Sequence, residues 1–298
     1  LVPQAGHLVH MPSHIYMRVG QYYDAELANL RAVKADRSYI RHCAAQGFYP
    51  GMYYPHNEHF LWWTMYFQGR SADALAAAKK SAVIANDNSC GPSKVLEAPR
   101  LRHLPWLTNA RFGRWQDVLK VAQPSVTNDF LIDRALWHFA RGLAFAGRNE
   151  QNAAALEQAE LTKLAHSDEA KKLDNPLFPA TGLLAVADFW LAGKAAEGNN
   201  DFAAAIENLE KAVKAEDALP YMEPAYWPIP TRPALGAVLL KAGKAAEAEL
   251  VFREDLKRWP RNGWGLLGLE QSLRAQRKTQ SADLVHREFE EAWKRADV

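Results

Sequence analysis

The sequence predicts an all-α chain, an α-solenoid of about seven antiparallel helix pairs with a concave inner surface. Three observations predict it. Ala, Leu, Glu, Lys and Arg dominate the 298 residues, and strand-like alternation is nearly absent. Apolar residues recur at helical spacing almost throughout. One phrase also keeps returning: an apolar helix, a Gly-polar turn, then a second helix rich in Ala.

The phrase reads RVGQYYDAELANLRAVKAD from Arg18 and FQGRSADALAAAKKSAVIAND from Phe67. It returns as RFGRWQDVLKVAQP from Arg111 and FAGRNEQNAAALEQAE from Phe145. Two more copies are AEGNNDFAAAIENLEKAVKAED from Ala196 and KAGKAAEAELVFREDLKRWP from Lys241. The turn glycines Gly20, Gly69, Gly113, Gly147, Gly198 and Gly243 each fit the left-handed position that ends a helix. Ala25, Ala74, Ala205 and Ala248 follow a few residues on, small enough for two helices to approach closely. The glycines lie 34 to 51 residues apart, so the repeats carry long helices or inserted loops. The pairs are expected near 5–36, 55–87, 98–122, 129–165, 177–215, 231–258 and 263–296. No long Gly/Ser or charged linker interrupts them, so residues 1–298 read as one domain.

Three inserts depart from short connectors, near 46–55, 88–99 and 216–233. The third holds five prolines and cannot be helical throughout. Its aromatics, Tyr221, Tyr226 and Trp227, argue for an ordered loop folded inward over the concave face. Glu223, Trp227 and Arg232 there place an acid, a flat ring and a guanidinium on one loop, a set suited to a polar ligand.

Hydrophobic residues make up 48% and charged residues 23%, ordinary for a globular protein. A net charge of +2 gives no field directed at nucleic acid or a membrane surface. No apolar run is long enough for a membrane span. Two cysteines, Cys43 and Cys90, make no disulfide framework, and a single bridge between them stays open. The chain begins at Leu1 partway into an amphipathic segment, which suggests a trimmed product and leaves the compartment undetermined.

Chemistry concentrates in the histidines. Six of the ten lie in the first 59 residues. His10 and His14 form an i,i+4 pair, and His56 and His59 an i,i+3 pair, spacings that put two rings on one side of a helix. Two such pairs on neighbouring helices can converge on one divalent transition metal, with His7 a further turn away in reserve. Neutral imidazoles suit Zn²⁺, Cu²⁺ or Ni²⁺ better than Mg²⁺ or Ca²⁺. Pro12 either starts a helix at His14 or kinks one that runs through it. Pro55 would start the helix that carries His56 and His59. Tyr16 and Tyr54 can donate hydrogen bonds, Asn57 and Glu58 can orient the rings, and Arg18 can take a carboxylate or phosphate. HxxxH lacks the glutamate of the HExxH zinc-protease pattern, so that mechanism is not implied.

The Gly-turn phrases resemble the tetratricopeptide repeat. The stretches GHLVHMPSHIYMRVGQYYDA, YYPHNEHFLWW, RFGRWQDVL, HFARGLAFAGR, EDALPYMEPAYW and REDLKRWPRNGWGLLGL are closer still to a bacterial family of tetratricopeptide-repeat-containing proteins. The similarity runs from end to end. It implies the repeat fold and carries no established activity. It also implies an upstream His-containing helix, so the N-terminal segment of its own chain joins the expected partners. Two functions stand side by side. One is a repeat scaffold whose histidine-lined groove binds a peptide, a protein or a small polar ligand. The other is a metal-dependent enzyme built on His10, His14, His56 and His59.

Overall fold

The computed structural model describes residues 2–86, 101–126 and 130–298. Among these the regular structure is helical, and the β content is one isolated bridge, Asn175 to Phe178. The chain divides into two compact units, Leu1–Thr108 with Arg295–Val298, and Asn109–Lys294. No described helix is long and apolar enough to cross a membrane.

The first unit contains α1 (Gly6–His10), α2 (Pro12–Arg18), α3 (Tyr22–Cys43), α4 (Tyr54–Phe67) and α5 (Ser71–Asn86). A π-helical turn, Tyr49–Tyr53, leads straight into α4. Helices α1 and α2 pack on α3, α3 packs on α4, and α4 on α5. Pro12 ends α1 and opens α2, because its ring cannot sit in a helix interior. On α3 the buried positions are Tyr22, Ala25, Glu26, Ala28, Asn29, Ala32, Val33 and Asp36, a stripe at helical spacing that includes three polar or charged side chains, Glu26, Asn29 and Asp36. Helix α4 is the most enclosed, with ten residues buried from Asn57 to Phe67. At the start of α5, the Asp297 carboxylate accepts from the Ser71 and Ala72 amides at 2.5 and 3.0 Å. That caps backbone donors that have no partner inside the helix.

Helix α6 (Leu104–Arg111) crosses the boundary between units. The second unit continues with α7 (Trp115–Leu119), α8 (Leu131–Gly147), α9 (Gln151–Ala165) and α10 (Asp168–Lys172). After these come α11 (Ala180–Gly198), α12 (Phe202–Asp217), α13 (Arg232–Lys241), α14 (Ala245–Arg258), α15 (Gly263–Ala275) and α16 (Thr279–Trp293). Sequence neighbours pack as pairs: α8 with α9, α11 with α12, α13 with α14, α15 with α16. The small residues expected at the crossings, Ala25, Ala74, Ala205 and Ala248, are all fully buried.

The turn glycines divide into two kinds. Gly20, Gly69, Gly113 and Gly243 have positive φ and end their helices as expected. Gly147 and Gly198 do not. Their helices run on, and Asn149 and Asn200 take the left-handed position at φ 61° and 60°. Gly147 serves close approach instead, while Gly198 faces the movable end of the Gln151 side chain. A Cβ on Gly147 would lie 2.6 Å from the Trp115 ring, and one on Gly198 would lie 2.2 Å from the Gln151 side chain.

The third insert is ordered but only partly inward. Trp227 is buried between Phe139 and Trp190, at ring distances of 5.2 and 5.8 Å, and Glu223 is buried as well. Tyr221 corrects the expectation, since it is 75% exposed. The expectation weighed aromatic content alone, and the packing space is filled by Trp227. Arg232, the first residue of α13, forms a two-pronged ion pair with Asp217. The second insert, 88–99, lies outside the described residues, as does Cys90, and Cys43 is exposed.

Candidate metal centre

Three short stretches of the first unit bring four imidazoles together. His7 and His10 stand on one face of α1, His14 on α2 and His56 in the first turn of α4. The ligand atoms of His7, His10 and His56 all lie within 4.8 Å of one another. His10 Nε2 is 3.1 Å from His56 Nε2 and 2.9 Å from His14 Nε2. Ring centroids are 4.7 Å apart for His10 and His14, and 4.8 Å for His10 and His56.

The neighbours of His10 fix which of its nitrogens carries the proton. Asn29 donates its amide N–H to the Ala25 carbonyl at 2.8 Å, one turn back on α3. Its Oδ1 is thereby turned to His10 Nδ1, 2.7 Å away. An amide oxygen only accepts, so Nδ1 carries the hydrogen and Nε2 presents a lone pair. Ser13 Oγ lies 3.1 Å from the same Nδ1. A ring nitrogen held this way, with its opposite nitrogen aimed at other imidazoles, is the arrangement of a metal-ligating histidine.

His7 is held by a second polar chain. Its backbone amide donates to the Tyr49 hydroxyl at 3.1 Å, and that hydroxyl donates to Asp36 Oδ1 at 2.7 Å. Asn57 donates to Asp36 Oδ2, also at 2.7 Å. One buried carboxylate on α3 therefore ties down α1, the π-helical turn and α4. The approach is close: a Cβ on Gly6 would stand 1.9 Å from Asp36 Oδ1, so glycine is required there. The His7 ring lies tilted against Tyr53, with centroids 4.0 Å apart. Asn57 also interacts with the His7 side chain, and this partly offsets the lowering that burial imposes on the ring.

Phe60, fully buried, lies one turn below His56. Its ring meets those of His10, His14 and His56 at 4.5, 4.5 and 4.9 Å. Phe60 thus gives the cluster an apolar floor. Burial lowers His10 to a pKa of about 3 and His56 to about 2, with the neighbouring histidines adding to the effect on both. His7 is lowered in the same way. At neutral pH these rings are uncharged, the form that binds metals.

The other sequence candidates go elsewhere. His59 leaves the cluster. Three residues beyond His56, it is rotated about 60° around the helix, and its ring stacks on Trp62 at 5.4 Å. Burial, helped by His103, takes it to a pKa of about 3. Glu58 pairs with Arg37 at 2.8 Å and with Lys80. Tyr54 accepts from Arg37 at 3.3 Å. Tyr16 is half-buried and Arg18 exposed. Glu223, Trp227 and Arg232 belong to the second unit. Sequence reasoning missed Asn29, Ser13, Asp36 and Tyr49, and read Phe60 as a core residue, which it is. Asn29 and Asp36 had a signal, as polar residues on the largely apolar stripe of α3 that also carries Glu26.

No family model matches the chain, and no curated protein matches it.

Proposed function

We propose that the chain is a tetratricopeptide-like repeat scaffold whose first unit holds one divalent transition metal on His7, His10 and His56, with His14 beside them. One observation carries the reading. His10 has its Nδ1 proton fixed by Asn29 and its Nε2 lone pair turned to a cluster of neutral imidazoles. A buried cluster of this kind, with no positive charge of its own, suits Zn²⁺, Cu²⁺ or Ni²⁺. The packing of sequence-adjacent helices as pairs supports the repeat reading, in which the array continues as about seven such pairs. The polar ligand foreseen for a histidine-lined groove is then the ion itself, and what the ion binds next decides between scaffold and enzyme.

The test is titration of Zn²⁺ into untagged wild type and into a His7→Ala, His56→Ala double mutant. Removing two of three ligands is expected to weaken binding by at least about 100-fold. Equal binding by both proteins rules the site out. Asn29 gives a second check. Asn29→Ala leaves the His10 tautomer unset and is expected to weaken zinc about 10–100-fold. Asn29→Asp keeps an acceptor and is expected to stay close to wild type.

A further inference from the structure

We infer that Asp36 is a positioning residue of the metal centre: its buried carboxylate, acting through Asn57 on His7, offsets part of the ion's positive charge. The inference rests on the metal reading above and adds the residue that tunes that site.

The polar chain makes the first argument. Asp36 is fully buried on α3. Asn57 donates to its Oδ2 at 2.7 Å, and the same Asn57 side chain meets the His7 ring. Tyr49 donates to its Oδ1 at 2.7 Å, while the Tyr49 oxygen accepts from the His7 amide at 3.1 Å. Asp36 thus reaches one ligand twice, through its ring and through its backbone. Both oxygens receive donors, which suits the ionised, acceptor-only carboxylate. A ligand histidine backed by a chain that ends in a carboxylate follows the outer-shell pattern of metal sites, where the carboxylate orients the ring and raises its basicity. His10 carries the uncharged version, because its Asn29 ends on the Ala25 carbonyl.

Electrostatics make the second argument. Burial opposes charge on both groups, lowering the pKa of His7 and raising that of Asp36. Against it, the carboxylate favours positive charge on the His7 ring, and the ring favours the ionised carboxylate. A divalent ion on His7 brings the positive charge that a buried carboxylate lacks, and the carboxylate lowers the cost of burying the ion. Glu58 is the competing acid, fully buried two residues beyond His56. Its charge is already balanced by two cations, Arg37 and Lys80, with Tyr54 beside them.

The test is zinc affinity of the full chain, by competition with a chelating dye, beside the melting temperature without metal. Asp36→Asn keeps the shape and removes the charge. It is expected to weaken zinc about 10–100-fold while the metal-free chain stays folded. Exchanging the two residues, Asp36→Asn with Asn57→Asp, keeps an amide–carboxylate hydrogen bond and returns the charge beside His7. That double variant should recover most of the wild-type affinity. Glu58→Gln should weaken zinc less than Asp36→Asn does. Wild-type affinity in folded Asp36→Asn overturns the inference. So does a folded exchange variant that binds zinc at least about tenfold more weakly than wild type, and this variant decides alone if Asp36→Asn does not fold. A larger loss in Glu58→Gln assigns the charge to the other acid and overturns the role of Asp36. Failure of the wild type to bind zinc at all overturns the metal reading itself, and this inference with it.

Discussion

Acid is expected to unfold the metal-free first unit between about pH 5.5 and pH 3. The cause is three imidazoles held far below their ordinary value, His10 at about 3, His56 at about 2 and His59 at about 3, each chiefly by burial. In the unfolded chain each titrates near 6.5. Above that value the rings are neutral in both states and stability does not depend on them. As pH falls below it, the unfolded chain takes up three protons that the folded unit refuses. Stability therefore falls with falling pH, by about 4 kcal/mol per unit for three protons. A domain of ordinary stability, ~5–15 kcal/mol, withstands little more than one to three such units. Circular dichroism against pH, fitted with the proton uptake, checks this. A unit that stays folded at about pH 2.5 without metal contradicts it. Bound zinc should move the transition to lower pH, because the ion stabilises the same neutral form.

Phe60→Ala is the single substitution expected to cost most, about 3–5 kcal/mol. The ring is fully buried and touches His10, His14, His56 and Trp63. Removing it leaves a cavity under the histidines and lets water reach them. Thermal or denaturant unfolding measures the first effect. The second should appear as His10 and His56 titrating closer to 6.5 by NMR. Phe60→Leu fills part of the space and should cost less. A loss below about 1 kcal/mol for Phe60→Ala would mean that the ring does not support the cluster.

Much of the architecture was legible before any coordinates. The returning Gly-turn phrase marked helix pairs, and the buried Ala25, Ala74, Ala205 and Ala248 show why a small residue follows four of the six turns. Gly147 and Gly198 were misread for a physical reason. A glycine at a turn and a glycine at a helix crossing look alike in sequence, and only the Trp115 and Gln151 contacts separate them. The gathering of His10, His14 and His56 was legible from spacing and from Pro12 and Pro55. His7 was held in reserve although i,i+3 spacing places it on the face of His10. Its membership depends on Gly6 bringing α1 down onto Asp36, a contact between helices that spacing does not encode. His59 went astray because i,i+3 pairing says that two rings are near one side of a helix, not which neighbour each one faces. Asn29 was invisible as an orienting group until α3 and α1 were seen packed together.

The most direct test of the central claim is X-ray absorption at the zinc edge on the metal-loaded, untagged chain. The account predicts about three imidazole nitrogens at roughly 2.0–2.1 Å and one further light atom, in tetrahedral geometry. The His7→Ala, His56→Ala double mutant should lose this signature. A six-coordinate shell of oxygens in wild type, or zinc that washes off before measurement, would contradict the claim. The four imidazoles would then be a hydrogen-bonded core.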